Sequence, residues 1–465
     1  MTLHTDAKMT NNITRRTALK TAATTTFGLA ALQTSSSGAQ ITGANERIRL
    51  GFIGVANRGT QLLDAFKVHA DAEIAGLCDV NVTTLAKAHE KFNGKPQTTT
   101  DFRKLLERRD IDAVVIATPD HWHALQTIDA CKTGKDVYVE KPLCVTVVEG
   151  RKMVEAARKY KKIVQVGIHR RSSPLFKSLA EQGADKLLGY VTVGRSFRPS
   201  NMFPEGIGKT PPSEPPKDFD WDLWLGPRPE RPFQATIAPY KFRWWTLYSS
   251  QMGNWGVHFL DAMRWLCGET APTSVCTMGG RYIVDDDRTV PDTAEALFEF
   301  GGGEFSKGRL LSFCQYEACG NPCLATDEKY RPLGEIELRG TNGTLYANEW
   351  KYVTKAEQSG QFQPKGRRME ETQYSEQGVP KGLGINQWIT ELHARNFLDC
   401  MRTRQMPNAD IEIGHRSTSM ALIANISLAV RQRLNWNGES EKFIDNDEAN
   451  TMLHYEYRKP WKLEV

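Results

Sequence analysis

The chain lacks the features that mark several common classes of protein. Lysine and arginine total 60 against 55 acidic residues, and no dense basic run follows the first residues. This excludes the clustered positive charge of nucleic-acid-binding proteins, so no nucleic acid is expected as a partner. No apolar run reaches the roughly 20 residues that a membrane span needs. Repeats and low-complexity blocks are also missing, which leaves an ordinary globular protein of 465 residues.

The cysteines do not form the tight pairs that mark zinc sites or small disulfide frameworks. Their number is nine, which is odd, and most of them are expected to be buried thiols. Cys314, Cys319 and Cys323 are close in sequence, where an oxidising compartment would allow a disulfide. His121 and His123 have no third ligand nearby in the sequence, so no metal is expected.

The first residues resemble an export signal. Arg15 and Arg16 stand in a twin-arginine-like motif, followed by a short, threonine-rich apolar stretch from Thr21 to Leu32. Small residues at 37–39 supply a plausible cleavage site. We therefore predict a twin-arginine signal peptide over 1–39, a linker over 40–46, and a mature chain in the periplasm without a membrane span.

Residues 47–168 alternate between strand and helix patterns. Short apolar runs at 48–53, 72–77 and 113–117 alternate with segments whose apolar residues recur at helical spacing. The run at 113–117 is apolar throughout, as in a parallel strand covered on both faces. These units predict a doubly wound parallel sheet.

Residues 169–465 have a different pattern and are predicted to form a second, α+β domain with a large, mainly antiparallel sheet. A segment rich in Pro, Gly and Trp occupies 199–233, and strand-like runs follow at 294–300, 308–313 and 335–339. Two helices are predicted, near 386–404 and 417–433. The fold class is therefore α/β.

A glycine-rich turn follows the first strand and opens the first helix. Its residues are Gly54, Val55, Ala56, Asn57, Arg58 and Gly59. This is the dinucleotide fingerprint of a Rossmann domain, with Ala56 where the middle glycine usually stands. Backbone N–H groups at such a helix start bind pyrophosphate. Asp79 lies twenty residues beyond Gly59, where an acid binds the adenosine ribose and repels a 2′-phosphate, so NAD is favoured over NADP.

Two further motifs follow strands of the predicted parallel sheet, at the edge where ligands bind. Thr118, Pro119, Trp122 and His123 belong to the first motif and are predicted to border the nicotinamide. Glu140, Lys141 and Pro142 form the second, and Lys141 would place a cation where an alkoxide forms.

The glycine-rich turn, Thr-Pro-x-x-x-His and Glu-Lys-Pro, in this order and spacing, resemble the Gfo/Idh/MocA oxidoreductases. The resemblance covers residues 47 to about 460. It implies that Lys141 is catalytic and contacts substrate, that Glu140, Lys141 and His169 border the cofactor, and that the Lys141–Pro142 bond is cis.

The motif from Gly253 to Asp261 resembles an exported branch of the same family. The resemblance implies that His258 is a catalytic acid–base. Relatives often carry Asp where this chain has Asn254, so either Asn254 or Asp261 is expected to partner His258. The alternative for Asp261, which shares a helical face with His258, is a role as a cap or salt-bridge residue. The predicted substrate-binding residues are Arg171, Trp245, Asn254 and Asp261. The resemblance also implies a homo-oligomer.

Three functions remain open. The first is an NAD-dependent dehydrogenase acting on a sugar, glycoside or polyol. The second is an NAD-dependent glycoside hydrolase or lyase, in which the substrate is oxidised transiently before a glycosidic bond breaks. The third is a non-catalytic protein that binds a sugar or cofactor, which the presence of both Lys141 and His258 disfavours. The dehydrogenase is preferred to the hydrolase because hydrolases of this kind often depart from Glu-Lys-Pro, which this chain retains.

Overall fold

The structure is a computed structural model that describes residues 47–301, 307–320, 335–358, 360–362, 366 and 368–465. The predicted signal peptide and linker lie outside the described residues, and so does Cys323. Cys314 and Cys319 are not bonded to each other. Among the described helices, none is long and apolar enough to cross a membrane.

The first half forms a six-stranded sheet in which every neighbouring pair is parallel, in the order β3-β2-β1-β4-β5-β6. Its strands are β1 (Ile48–Ile53), β2 (Ala72–Cys78), β3 (Gln97–Thr99), β4 (Ala113–Ile116), β5 (Asp136–Val139) and β6 (Val164–Val166). The central strand β4 is fully buried, because helices cover both faces of the sheet.

Helices connect these strands. They are α1 (Asn57–Lys67), α2 (Val82–Lys91), α3 (Phe102–Leu106), α4 (His123–Lys132) and α5 (Val147–Lys159). Thr146 and Glu149 form a capping box at the start of α5, which satisfies amide groups that an uncapped helix leaves free. The predicted doubly wound parallel sheet is confirmed.

The second half is built on a ten-stranded sheet in the order β14-β13-β12-β11-β7-β10-β9-β8-β15-β16. Its strands are β7 (Val191–Pro199), β8 (Ser274–Gly280), β9 (Thr293–Phe300), β10 (Arg309–Tyr316), β11 (Ile336–Gly340), β12 (Gly343–Ala347), β13 (Lys351–Ala356), β14 (Gln373–Ser375), β15 (Leu434–Asn437) and β16 (Lys442–Phe443). The β7–β10 pair is parallel and the other pairs are antiparallel. The predicted mainly antiparallel sheet is confirmed.

The helices of the second half lie on one face of this sheet or return to the first half. They are α6 (Pro174–Gln182), α7 (Ala184–Leu188), α8 (Trp221–Leu225), α9 (Val257–Leu266), α10 (Ile385–Thr403), α11 (Ile411–Val430) and α12 (Asp447–Thr451). Helix α10 packs against α1, and its Phe397 ring meets the ring of Phe66 edge to face. The two halves therefore share core contacts across the predicted boundary at residue 168.

The segment between β7 and α9 carries a small aromatic core of its own. Buried residues of this core include Phe219, Trp221, Trp224, Phe233 and Trp245. Trp221 and Trp224 stack with their ring centroids 4.8 Å apart. This packing explains how a long segment with little regular structure holds a defined conformation.

Candidate functional site

The glycine-rich turn between β1 and α1 has the geometry of a phosphate cradle. Gly54 has φ of +83°, and a Cβ there would lie 2.8 Å from the backbone of Ala117. A Cβ on Gly59 would lie 2.1 Å from the Gly54 carbonyl oxygen. Ala56, by contrast, has φ of −78°, which any residue adopts. This explains why alanine is tolerated at the middle position of the fingerprint.

Asp79 follows the last residue of β2 and turns its carboxylate toward the glycine-rich turn. Its Oδ2 accepts from the Val55 amide at 2.9 Å, and its Oδ1 accepts from the Asn81 amide at 2.9 Å. Burial raises the pKa of Asp79, and the amide hydrogen bonds oppose that shift. The carboxylate is thus fixed at the wall of the cavity described next.

A cavity opens at the carboxyl ends of β1, β2 and β4. Eight of the residues predicted for the cofactor line it: Gly54, Ala56, Asn57, Arg58, Asp79, Thr118, Pro119 and Trp122. Six do not: Val55, Gly59, His123, Glu140, Lys141 and His169. Val55 and Gly59 still shape the turn, the first through its amide bond to Asp79 and the second through its close approach to Gly54.

The second half contributes the opposite wall of this cavity, which sequence reasoning did not anticipate. Its lining residues there are Phe219, Leu223, Trp224, Pro239, Tyr240, Phe242 and Arg243. Backbone hydrogen bonds join this wall to the first half, from Val82 to Asp218 at 2.8 Å and from Asp220 to Val80 at 3.1 Å. The aromatic content of the segment was the available signal, but no motif linked it to the cofactor.

The loop after β4 holds its side chains by hydrogen bonds to backbone carbonyls. The Trp122 indole N–H donates to the Trp224 carbonyl at 2.9 Å. His123 is buried, and its two ring nitrogens lie 2.8 Å from the Pro142 carbonyl and 2.9 Å from the Thr118 carbonyl. His123 therefore ties this loop to the Glu-Lys-Pro segment and does not line the cavity.

Glu140 and Arg58 form a buried ion pair at the carboxyl end of β5. Arg58 Nε donates to Glu140 Oε1 at 2.8 Å. Burial alone would raise the pKa of Glu140, but the charges of Arg58 and Lys141 hold it below its usual value. A Cβ on Gly167 would lie 2.6 Å from the same carboxylate, so glycine is needed there. The expected cis bond between Lys141 and Pro142 is confirmed.

Lys141 points to a short π-helix at Met252–Gly256, which leads directly into α9. Its Nζ donates to the Asn254 backbone carbonyl at 2.7 Å and to Asn254 Oδ1 at 2.9 Å. Burial lowers the pKa of Lys141 to about 8, and neighbouring Glu140 opposes this shift. Asn254 is therefore the partner of Lys141, and its side-chain amide also donates to Gln251, so its side-chain hydrogen bonds go to residues other than His258.

His258 lies in the first turn of α9, buried next to His169. The two rings meet edge to face with centroids 5.3 Å apart. Burial lowers the pKa of His258 well below its usual value, and the charge of Lys141 adds to that effect. His258 is therefore neutral near pH 7, and its enclosed Nδ1 has no hydrogen-bond partner among the described residues.

Asp261 and Arg171 form a buried ion pair, so of the roles expected for Asp261 the structure shows that of a salt-bridge residue. The Arg171 guanidinium donates to both Asp261 oxygens at 2.9 to 3.1 Å, and the Ser417 hydroxyl donates to Asp261 at 2.6 Å. Both side chains are at least 94% buried. Asp261 is therefore a salt-bridge residue and not the acid that orients His258. Contact of Arg171 or Asp261 with a substrate stays a prediction.

Trp245 also belongs to the interior. Its indole N–H donates to the Thr236 carbonyl at 2.6 Å, and the Arg231 guanidinium lies 4.8 Å from its ring centroid. The ring is buried in the aromatic core between β7 and α9, where it packs against other aromatic residues, and its contact with a sugar stays a prediction.

Several buried polar atoms around Lys141 lack a partner within the described residues. They are Arg58 Nη2, His169 Nδ1, Arg170 Nη1 and His258 Nδ1. Unsatisfied buried donors are costly, so their concentration here points to a polar ligand that satisfies them when bound. The glycine-rich turn fits the pyrophosphate of a dinucleotide, and the Asp79 carboxylate fits its adenosine ribose. The unsatisfied donors fit a polar substrate. No group of three or more potential metal ligands occurs within the described ranges.

The fold and the site define a dinucleotide-binding protein. Its first half carries Lys141, and its second half carries Asn254, which accepts hydrogen bonds from that lysine. Three models of the Gfo/Idh/MocA family match the chain and together span well over half of it. The oxidoreductase model with an NAD-binding Rossmann fold matches residues 48–168, and two C-terminal domain models match 224–346 and 384–463. The chain belongs to the Gfo/Idh/MocA oxidoreductase family.

Among the curated relatives, a glycosyl hydrolase family 109 protein of Shewanella putrefaciens is 37% identical over 123 residues, which are 25% of this chain and 27% of that protein. An α-N-acetylgalactosaminidase of Shewanella oneidensis is 34% identical over 176 residues, which are 33% of this chain and 38% of that protein. The chain thus spans well under half the length of these relatives.

Solved structures share the fold at low identity. Levoglucosan dehydrogenase, in complex with NADH and levoglucosan, has a TM-score of 0.61 at 19% identity over 84% of this chain and 99% of its own. The WlbA dehydrogenase from Bordetella pertussis, in complex with NADH and UDP-GlcNAcA, has a TM-score of 0.59 at 20% identity over the same shares. An oxidoreductase from Desulfitobacterium hafniense, described as NADPH-dependent, has a TM-score of 0.61 at 16% identity over 84% of this chain and 98% of its own.

Proposed function

We propose that this protein is an NAD-dependent oxidoreductase that moves a hydride between the nicotinamide and a hydroxyl-bearing carbon of a sugar, glycoside or polyol. The observation that carries the proposal is the position of Lys141. Its ammonium is fixed by both Asn254 oxygens, 2.7 and 2.9 Å away, and its charge is close enough to depress the pKa of His258. A cation and a neutral base together suit alcohol oxidation.

Each side chain has one role in this reaction. Bound NAD would supply the hydride acceptor. His258 accepts the proton of the substrate hydroxyl, because its depressed pKa leaves the ring neutral near pH 7. The Lys141 ammonium donates a hydrogen bond to the same oxygen and stabilises its developing negative charge. Asn254 holds Lys141 in place, and Arg58 compensates the charge of Glu140 beside it.

The test is a panel of sugars, polyols and aryl glycosides, incubated with the protein and NAD while NADH and free aglycone are followed together. Net NADH in proportion to oxidised sugar is the expected result. The absence of both NADH and aglycone across the panel would contradict the proposal.

A second candidate is an NAD-dependent glycoside hydrolase with transient oxidation. It is favoured by the glycosyl hydrolase family 109 proteins, which are 33–37% identical to this chain over their matched parts. The same panel separates the two candidates, because aglycone released without net NADH supports the hydrolase.

We further propose that NAD is preferred to NADP. The Asp79 carboxylate lies at the cavity wall, where a 2′-phosphate would meet a like charge. Asp79→Ala is expected to narrow the difference between the two dissociation constants, measured by calorimetry. Tighter binding of NADP by the natural protein would contradict this assignment.

Export through the twin-arginine route remains our proposal for residues 1–39, on the strength of Arg15 and Arg16 ahead of an apolar stretch. Cell fractionation checks it, and mature protein found only in the cytoplasm would contradict it.

We also propose a homo-oligomer that buries the outer face of the ten-stranded sheet. Apolar side chains on that face are solvent-exposed, among them Met278, Leu297 and Leu310.

A further inference from the structure

Arg198 occupies the end of β7 on the sheet face that packs against α9. Gly194, four residues earlier on the same face, approaches Met263 of α9. The Arg198 guanidinium lies 3.6 Å from the ring centroid of Trp255. Trp255 directly follows Asn254, the partner of Lys141, and precedes His258 by three residues. Arg198 is thereby attached to the helical segment that carries the site.

The donors of Arg198 are not used inside the fold. In the part of the chain that the structure describes, the guanidinium makes no ion pair, and its enclosed Nε has no acceptor. Nearby arginines differ, since Arg58 pairs with Glu140 and Arg170 pairs with Glu335 and Glu349. Burial lowers the pKa of Arg198, although the charges of Glu335, Glu317 and Glu349 oppose that shift. A hydrogen-bonded anion would therefore further stabilise the charged guanidinium.

We propose that Arg198 and Trp255 form a subsite for the carboxylate of an acidic sugar, so that the substrate is a uronic acid or carries one. This inference rests on the proposed function. A guanidinium stacked on an indole keeps its edge free for hydrogen bonds. Because Nε is enclosed, the two Nη groups are the donors that face the two oxygens of a carboxylate. The indole surface beside it packs against the C–H face of a sugar ring.

The test compares D-glucuronate with D-glucose, and D-galacturonate with D-galactose, in the presence of saturating NAD. Dissociation constants come from calorimetry, and turnover comes from NADH formation. The natural protein is expected to prefer each acid over its neutral partner by about tenfold to a hundredfold, the range of a charge-assisted hydrogen bond. Arg198→Gln should abolish this preference, and Arg198→Lys should restore part of it.

Arg195→Gln is the matched control. Arg195 lies on the opposite face of the same strand, exposed, with its guanidinium 5.5 Å from the Phe197 ring. It should leave the preference for acids unchanged. A natural protein without a preference for acids, or a preference that survives Arg198→Gln, would overturn the subsite.

The two proposals fail in distinguishable ways. Turnover of neutral sugars without any preference for acids would overturn the subsite and leave the oxidoreductase proposal standing. If neither acids nor neutral sugars bind or reduce NAD, the oxidoreductase proposal fails and the subsite fails with it.

Discussion

At the scale of single residues, the contact between Lys141 and Asn254 sets the properties of the site. An amide oxygen accepts a hydrogen bond from an ammonium but adds no negative charge. Buried beside it, Lys141 has its pKa lowered to about 8. Asparagine therefore leaves the lysine close to losing its proton at neutral to mildly alkaline pH, whereas a carboxylate at 254 would favour the ammonium.

This contact predicts an alkaline limit to activity. A lysine with a lowered pKa is charged below that pKa and loses its charge as the pH rises through it, so turnover should fall above about pH 8. Asn254→Asp should move this limb to higher pH, measured as kcat/KM against pH. Lys141→Met should lack the limb altogether. An alkaline limb that is unmoved in Asn254→Asp would contradict the assigned contact.

The sequence predicted which residues belong to the site better than it predicted their partners. Motif and spacing identified the glycine-rich turn, Asp79 and the lysine of Glu-Lys-Pro. Helical spacing suggested Asp261 as a partner for His258, but Asp261 binds Arg171 and Ser417, which are distant in sequence. Such contacts depend on tertiary packing, which spacing along one helix does not contain.

At the scale of elements, the C-terminal segment braces the cofactor cavity from outside. Trp461 meets the cavity-lining Trp122 edge to face, with ring centroids 4.8 Å apart. Arg458 donates to the Asp222 carboxylate at 2.6 Å and to the Gly226 carbonyl at 3.0 Å. A Cβ on Gly226 would lie 2.2 Å from the Trp122 ring, so Trp122 is tightly enclosed.

We therefore expect Trp461→Ala to weaken cofactor binding without touching the cavity itself. An aromatic pair contributes about 0.5–1.5 kcal/mol beyond its buried area, so the dissociation constant of NADH should rise roughly twofold to tenfold. Fluorescence titration of NADH measures it. Lys462→Ala is the control, since the side chain of Lys462 is 75% exposed. Equal affinities in the two variants would show that the segment does not brace the cavity.

Elements with strong local signals could be predicted from the sequence, and those that depend on packing could not. Apolar runs identified β1 and β4, and the run of β4 is apolar throughout because buried parallel strands need no polar face. Strands β7 and β8 were missed, since the polar residues Thr192, Arg195 and Arg198 of β7 lie on both faces and break the period of two, and β8 ends in two glycines. The rules of helical spacing do not indicate a π-helix, so the π-helix before α9 could not be predicted from the sequence.

At the scale of the whole molecule, the two halves meet around the cofactor cavity, and part of the other face of the ten-stranded sheet is exposed within the residues that the structure describes. Leu297 on β9 is 46% exposed there. If a second copy covers this face, Leu297→Lys should shift the protein toward monomer, because a charge in an apolar interface is costly. Val68→Lys, at an exposed apolar position in the first half, is the control. A monomeric natural protein in analytical ultracentrifugation would contradict the homo-oligomer.

Hydride transfer to the nicotinamide, assisted by His258 as the base, is the central step of the proposed reaction. A sugar that is turned over in the panel, deuterated at its reacting carbon, allows this transfer to be followed by mass spectrometry of the nicotinamide. The natural protein should place deuterium on the nicotinamide, and His258→Ala should do so about 10²–10⁴-fold more slowly while still binding NAD. A nicotinamide without deuterium in the natural protein, or an equal rate in His258→Ala, would contradict the account.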